Sequence, residues 1–260
     1  MASKSLVLLT SATLLGSLVL TSNAAFAQSR VSNPAPLTTM QKQQAAQVAR
    51  KTVNVNYSTG YMSVTSSALA NNGLSPSQVN YVESTIQAYD SKLSTQTTPR
   101  RTISPLSVSP NTPLWITTAN FTGQTVMLYQ GAENKNSWGM LHMLYRHNWL
   151  NWSGGVTAVQ IVVHQAQSHS IDTGFNNNGR ELYNKWFISK NIPFFTYEVE
   201  LQVVVEPGNA TEGNNLYENG SVVTGYPIQG DYTKETWHGV PKTGIVPWWI
   251  GEGQYTQTLK

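Results

Sequence analysis

The chain has 260 residues, no cysteine, 11% charged residues and a formal net charge of +3. Without cysteine it has neither a disulfide framework nor a thiolate metal site. So small a positive excess is far from the basic stripe of a protein that holds nucleic acid by its overall field, so phosphate recognition would have to come from a local site.

Taken in chain order, the N-terminus reads as a secretory signal. Lys4 is followed by an apolar run from Leu6 to Leu20, and Ala24-Ala25-Phe26-Ala27 offers a small-x-small cleavage site, placing the cut after Ala27. The run is short for a membrane span, which takes about 20 residues. A retained anchor is the lesser reading, and no membrane anchor is expected after cleavage. A cysteine-free exported chain suits the exterior of a Gram-positive bacterium. Sequons such as Asn120-Phe-Thr and Asn151-Trp-Ser matter only in a eukaryotic secretory pathway.

Residues 28–110 form a first region. Thr39 to Lys51 is Gln/Ala-rich and reads as helix, and Val53 to Ala70 has no clear period. A stronger helix begins at Ser75, where Ser75, Pro76 and Gln78 make a Ser-x-x-Gln capping box with proline in the first turn. Val79, Val82, Ile86, Tyr89 and Leu93 follow at helical spacing. Ser94 to Pro113 is a Ser/Thr/Pro-rich linker whose Arg100-Arg101 pair is either a solvated turn or a processing site.

Residues 111–260 form the second region. Leu114 to Ala119 and Gln124 to Tyr129 read as strands, and Trp138 to Trp149 as a helix with Met140, Leu141, Leu144 and Tyr145 on its apolar surface. Val156 to Gln167 balances strand composition against helical length, and helix is expected; Gly179 to Lys190 is also expected to be helical. Phe194 to Glu206 alternates as a strand, Pro207 to Asn219 reads as a polar loop, and Ser221 to Tyr226 returns as the partner strand, ended by Pro227. Helices followed by an antiparallel sheet indicate an α+β fold.

Two motifs carry chemistry. The first is Trp138-Gly-Met-Leu-His-Met-Leu-Tyr-Arg-His147, which holds two of the five histidines. On a helix, residues four apart lie about 40° apart and residues five apart about 140° apart, so His142 and Arg146 share a face and His147 points elsewhere. The second is Gly220-Ser-Val-Val-Thr-Gly-Tyr-Pro227, in which Thr224 and Tyr226 lie on one face of a strand and Gly225 leaves room on the other. The bland alternatives are a packed helix with a histidine suited to its C-terminal dipole, and an edge strand whose hydroxyls satisfy local groups. His164, His169 and His238 lack the spacing of a metal site, so no metal and no cofactor are expected. The eight tryptophans, Trp248-Trp249 among them, read either as core residues or as a glycan-stacking surface.

On these residues the chain resembles bacterial toxin nucleases of the EndoU and wider barnase–EndoU–colicin–RelE-like group. In many of these a helix carries His-Ile-Leu-x-Arg-His, then come a Val-rich strand and a strand ending Gly-x-Ile-x-Thr-Ala-Tyr-Pro. Here they read His142-Met-Leu-Tyr-Arg-His147, Glu198-Val-Glu-Leu-Gln-Val-Val-Val-Glu206 and Gly220-Ser-Val-Val-Thr-Gly-Tyr-Pro227. Methionine replaces the usual Ile after His142, and Gly225 the usual Ala. The resemblance spans about residues 114–230 and leaves residues 28–110 and the tryptophan-rich tail without counterpart.

The resemblance implies a secreted, metal-independent endoribonuclease, a toxin aimed at competing cells, with His142, His147, Arg146, Thr224 and Tyr226 as site residues. RNA, tRNA included, is the implied substrate, and an immunity protein a further partner. The alternatives are a non-catalytic module binding glycan or protein through exposed aromatics, and an inactive relative on the nuclease fold.

Overall fold

The computed structural model describes residues 35–57, 59–96, 109–131, 138–147, 149, 152–172, 179–207, 210–212, 215–217, 220–230 and 246–257. The expected leader over residues 1–27, the Arg100-Arg101 pair, and His238 with its neighbour Trp237 lie outside them. No helix among the described residues is long and apolar enough to cross a membrane.

The N-terminal helices form where the caps place them. Helix α1 (Thr39–Thr52) starts at Thr38, whose side chain accepts from the Gln41 N–H while the Gln41 side chain returns to the Thr38 backbone. After the short hairpin of β1 (Asn54–Val55) and β2 (Met62–Ser63) come α2 (Ser66–Asn71) and α3 (Pro76–Gln96). At the start of α3, Ser75 N–H donates to Gln78 Oε1 at 3.0 Å, and Gln78 N–H donates back to Ser75 Oγ at 3.4 Å. Val79, Val82, Ile86, Tyr89 and Leu93 are all buried along one stripe.

The rest is built on a seven-stranded sheet. Its strands are β3 (Pro113–Thr118), β4 (Thr125–Tyr129), β5 (Ser168–Asp172), β6 (Arg180–Ser189), β7 (Glu198–Glu206), β10 (Ser221–Gly230) and β11 (Tyr255–Gln257). The order is β11-β6-β7-β10-β4-β3, with β5 also pairing β6. Every pairing is antiparallel except β10 with β4, which is parallel and rests on Ser221↔Met127. Helix α5 (Trp152–His164) buries Ala158, Val159, Val162 and Val163 and packs on β3, β6 and β7. Helix α4 (Gly139–His147) packs on β10 and β4, and α6 (Trp248–Gly251) on α5. The fold is α+β, as expected.

Residues 36–260 form one compact unit, and the two sequence regions share its core. Arg50 Nε donates to the Phe194 carbonyl at 2.6 Å, Trp248 Nε1 donates to Tyr89 Oη at 3.1 Å, and Tyr89 Oη donates to Gln254 Oε1 at 3.2 Å. Trp248 and Trp249 of the tail, like Trp138 and Trp149, are interior, each 2% exposed or less. No tryptophan whose side chain is described is exposed, so these rings form no open stacking row.

Three expectations need correction. Residues 180–189 are strand β6, not helix. Leu182, Tyr183, Trp186 and Phe187 recur at spacings that imitate a helical stripe, but pairing with β5 and β7 on either side decides the outcome. The ladder of β10 does not stop at Pro227 but runs to Gly230 through a bulge between Pro227 and Gln229. A bulge, and an outer edge that among the described residues pairs β4 only at Ser221, tolerate a residue without an N–H. Within the expected loop, β8 (Ala210–Glu212) and β9 (Asn215–Tyr217) pair as a small hairpin.

Candidate functional site

Helix α4 is held at both ends. At its start Gly139 has φ +73°, and a Cβ on Gly131 would lie 1.8 Å from the Trp138 carbonyl oxygen, so the end of β4 and the start of α4 touch through two glycines. Leu141 N–H donates to the Gln130 carbonyl at 2.9 Å. At its end the Val246 N–H donates to the His147 carbonyl at 2.7 Å. The helix lies against β10, where Met143 Sδ is 3.1 Å from the position a Gly225 Cβ would take. Trp149, fully buried, donates its indole N–H to the Gly225 carbonyl at 3.0 Å.

This seam brings the two motifs together. The rings of His142 and His147 are 5.3 Å apart, and the His147 ring is 5.4 Å from that of Tyr226. The expectation that His147 points away from His142 is therefore corrected. Helical side chains lean toward the N-terminus of their helix, so the ring of His147, in the last turn, folds back over the preceding turn. His147 is 6% exposed, His142 half-buried. Arg146 is exposed, and among the described residues no hydrogen bond or ion pair holds it. Of the expected apolar surface of α4, Met140 is buried together with Met143, whereas Tyr145 is 51% exposed.

Thr224 and Tyr226 lie on the face of β10 that carries polar residues. Across the sheet Tyr226 pairs Gln202 and Gln202 pairs Asn184, while Gly225, Val203 and Tyr183 point to the core on the other side. Tyr226 Oη donates to Gln202 Oε1 at 3.0 Å, and Gln202 Nε2 donates to Asn184 Oδ1 at 3.0 Å. Burial pushes the Tyr226 phenol above its ordinary value; Asp172 adds to the rise and Arg180 opposes it. The group is a protonated hydrogen-bond donor across the neutral range. The Thr224 hydroxyl is buried and has no hydrogen-bond partner among the described residues. An orphaned hydroxyl costs about 1–3 kcal/mol, which a purely structural strand would not be expected to retain.

Further along the same face Arg180 Nε lies 3.3 Å from Glu206 Oε2, Arg180 half-buried and Glu206 buried, and Asp172 is the cross-strand neighbour of Arg180. Gln202, Asn184, Arg180, Asp172 and Glu206 were invisible as site residues in the sequence. The signal was there in the alternation of β7, but reading β6 as a helix removed the partner strand that places them on one face. The other described histidines are elsewhere: His164 is bonded to the Thr118 carbonyl, and His169 is stacked with Phe121 on the opposite face of the sheet. Among the described residues no group of three or more His, Asp or Glu is placed to hold a metal ion.

No protein-family model, curated protein or solved structure matches the chain.

Proposed function

We propose that the protein is a secreted, metal-independent endoribonuclease on an EndoU-like α+β fold, a toxin that cleaves RNA through the 2′-hydroxyl. The observation that carries the reading is the meeting of three rings from two distant motifs: His142 and His147 at 5.3 Å, and His147 and Tyr226 at 5.4 Å. The leader-like residues 1–27 motivate the proposed export.

The chemistry needs two proton carriers and donors for the growing charge. One imidazole takes the proton of the ribose 2′-hydroxyl, and the oxygen attacks the adjacent phosphorus. The bond to the 5′-oxygen breaks as the other imidazole protonates it. The products are a 2′,3′-cyclic phosphate and a 5′-hydroxyl end. Imidazole, with an ordinary pKa of about 6.5, serves either role near neutrality. Tyr226 and Thr224 supply hydroxyl donors where negative charge develops, and Arg146, exposed on the last turn of α4, is free to fork onto the non-bridging oxygens.

The test is incubation of the purified protein with total tRNA in EDTA, reading cleavage and the cyclic phosphate ends. His142→Ala should lower the rate by about 10²–10⁴-fold. A wild-type protein that leaves RNA intact, or a His142→Ala protein that cleaves like wild type, removes the reading in favour of an inactive relative or a binding module.

A further inference from the structure

The hydroxyl of Tyr226 has one proton, and in this structure that proton goes to Gln202 Oε1 at 3.0 Å. A phenol engaged in this way has none left for a substrate. Gln202 is in turn committed, because its Nε2 donates to Asn184 Oδ1 at 3.0 Å. The three residues are cross-strand neighbours on one rung of the sheet, Tyr226↔Gln202↔Asn184.

A side-chain amide is nearly symmetric in shape and opposite in polarity at its two ends. The rung therefore has a second arrangement with the same number of hydrogen bonds. If both amides turn over, Asn184 Nδ2 donates to Gln202 Oε1, Gln202 Nε2 donates to the Tyr226 oxygen, and the phenol proton is released toward the side where the His147 ring lies. In the arrangement seen here burial, with Asp172 adding and Arg180 opposing, raises the phenol above its ordinary value, so the proton stays on its oxygen near neutral pH.

We propose that Gln202 and Asn184 are positioning residues for the Tyr226 hydroxyl, and that the coupled turnover of the two amides switches it from donating to the protein to donating to substrate. The proposal rests on the nuclease reading for its consequence, not for its existence, and position 184 separates the two. Asn184 is a rung away from the phenol, so its identity matters to Tyr226 only through the amide between them. Asn184→Asp offers only acceptors and holds Gln202 with Oε1 toward Tyr226. Asn184→Lys offers only donors and holds Gln202 with Nε2 toward it.

The first readout is independent of activity. With tyrosine labelled by ¹³C at Cζ and the Tyr226 signal assigned by its loss in Tyr226→Phe, the Cζ shift should move toward the phenolate direction in Asn184→Asp and the opposite way in Asn184→Lys. The second readout is kinetic: kcat for RNA should be at least about tenfold lower in Asn184→Asp than in Asn184→Lys. That difference should vanish in a Tyr226→Phe background, whatever the added charges do to KM. If the lysine variant fails to fold, Asn184→Arg stands in, since it too offers Gln202 only donors and should shift Cζ as Asn184→Lys does. Shifts that do not separate, or a kcat difference that survives without the Tyr226 hydroxyl, overturn the relay. Separated shifts in a protein that leaves RNA intact overturn only the nuclease reading.

Discussion

Replacing His147 by alanine pits the catalytic and the structural meanings of one buried ring against each other. The imidazole is 6% exposed and lies 5.3 Å from the His142 ring and 5.4 Å from the Tyr226 ring. Truncating it opens a void at the α4–β10 seam, which costs about 2–4 kcal/mol by the range for buried large-to-small changes. For a chain of this size that is a melting temperature lower by roughly 5–10 °C. Loss of a proton-transfer group costs the reaction about 10²–10⁴-fold, or about 2.7–5.4 kcal/mol of barrier. At 25 °C the variant is still largely folded, so the rate should fall far more than the folded fraction does. The assay is tRNA cleavage in EDTA beside a circular-dichroism melt of the same sample. His147→Gln should recover much of the melting temperature and little of the rate, since an amide fills space and forms hydrogen bonds but does not exchange a proton near neutral pH. The pH profile of kcat/KM should lose one limb in His147→Ala. A folded His147→Ala protein that cleaves within a few-fold of wild type refutes the assignment.

Four further outcomes follow from other contacts. Tyr226→Phe should keep the fold, leaving Gln202 Oε1 without its donor, yet lower kcat by about 10²–10³-fold; full cleavage in a less stable protein would mean the hydroxyl is only structural. Gly60→Ala should cost about 2–4 kcal/mol in urea unfolding, because Gly60 has φ +80° and a Cβ there would lie 2.3 Å from Trp248 Nε1; an unchanged midpoint contradicts that packing. Burial raises the Asp90 carboxyl above its ordinary range, against the pull of the Met62 N–H, so its ionisation weakens the folded state as pH rises through that value. Asn in its place should raise the melting temperature at neutral pH and match wild type near pH 3, and equal melting temperatures at both would sink the assignment. Burial also pushes the phenols of Tyr89, Tyr183 and Tyr255 up to about 12. The unfolded chain loses those protons at about pH 10, so their contribution is intact below 10 and lost between about 10 and 12; stability flat across that interval would count against it.

Much of this molecule is legible wherever one local rule acts alone. The Ser75 capping box and the stripe from Val79 to Leu93 set the start and the buried face of α3. Alternation from Tyr197 to Val203 announces β7. Reading fails where tertiary partners decide. The apolar residues of 182–187 satisfy two periods at once, and only β5 and β7 on either side make them a strand. The angular spacing of His142 and His147 is read correctly on an ideal helix, but ring position depends on side-chain lean and on the neighbour Tyr226, neither of which spacing contains. Gln202 and Asn184 stay silent because a polar rung exists only once three strands are in register.

Trp248 has a consequence for the order in which the molecule can be made. Its indole N–H reaches Tyr89 across 159 residues of chain, and Tyr89 reaches Gln254 across 165. A ribosome adding about 5–20 residues per second leaves α3 waiting roughly 10–30 s for the partner that completes its buried end. Earlier partners such as Phe194, which accepts from Arg50, do not supply this closure, and long-range closure of this kind is slow in any case. The buried end of α3 is thus closed late by the topology itself, and Trp248 and Gln254 act as the latch.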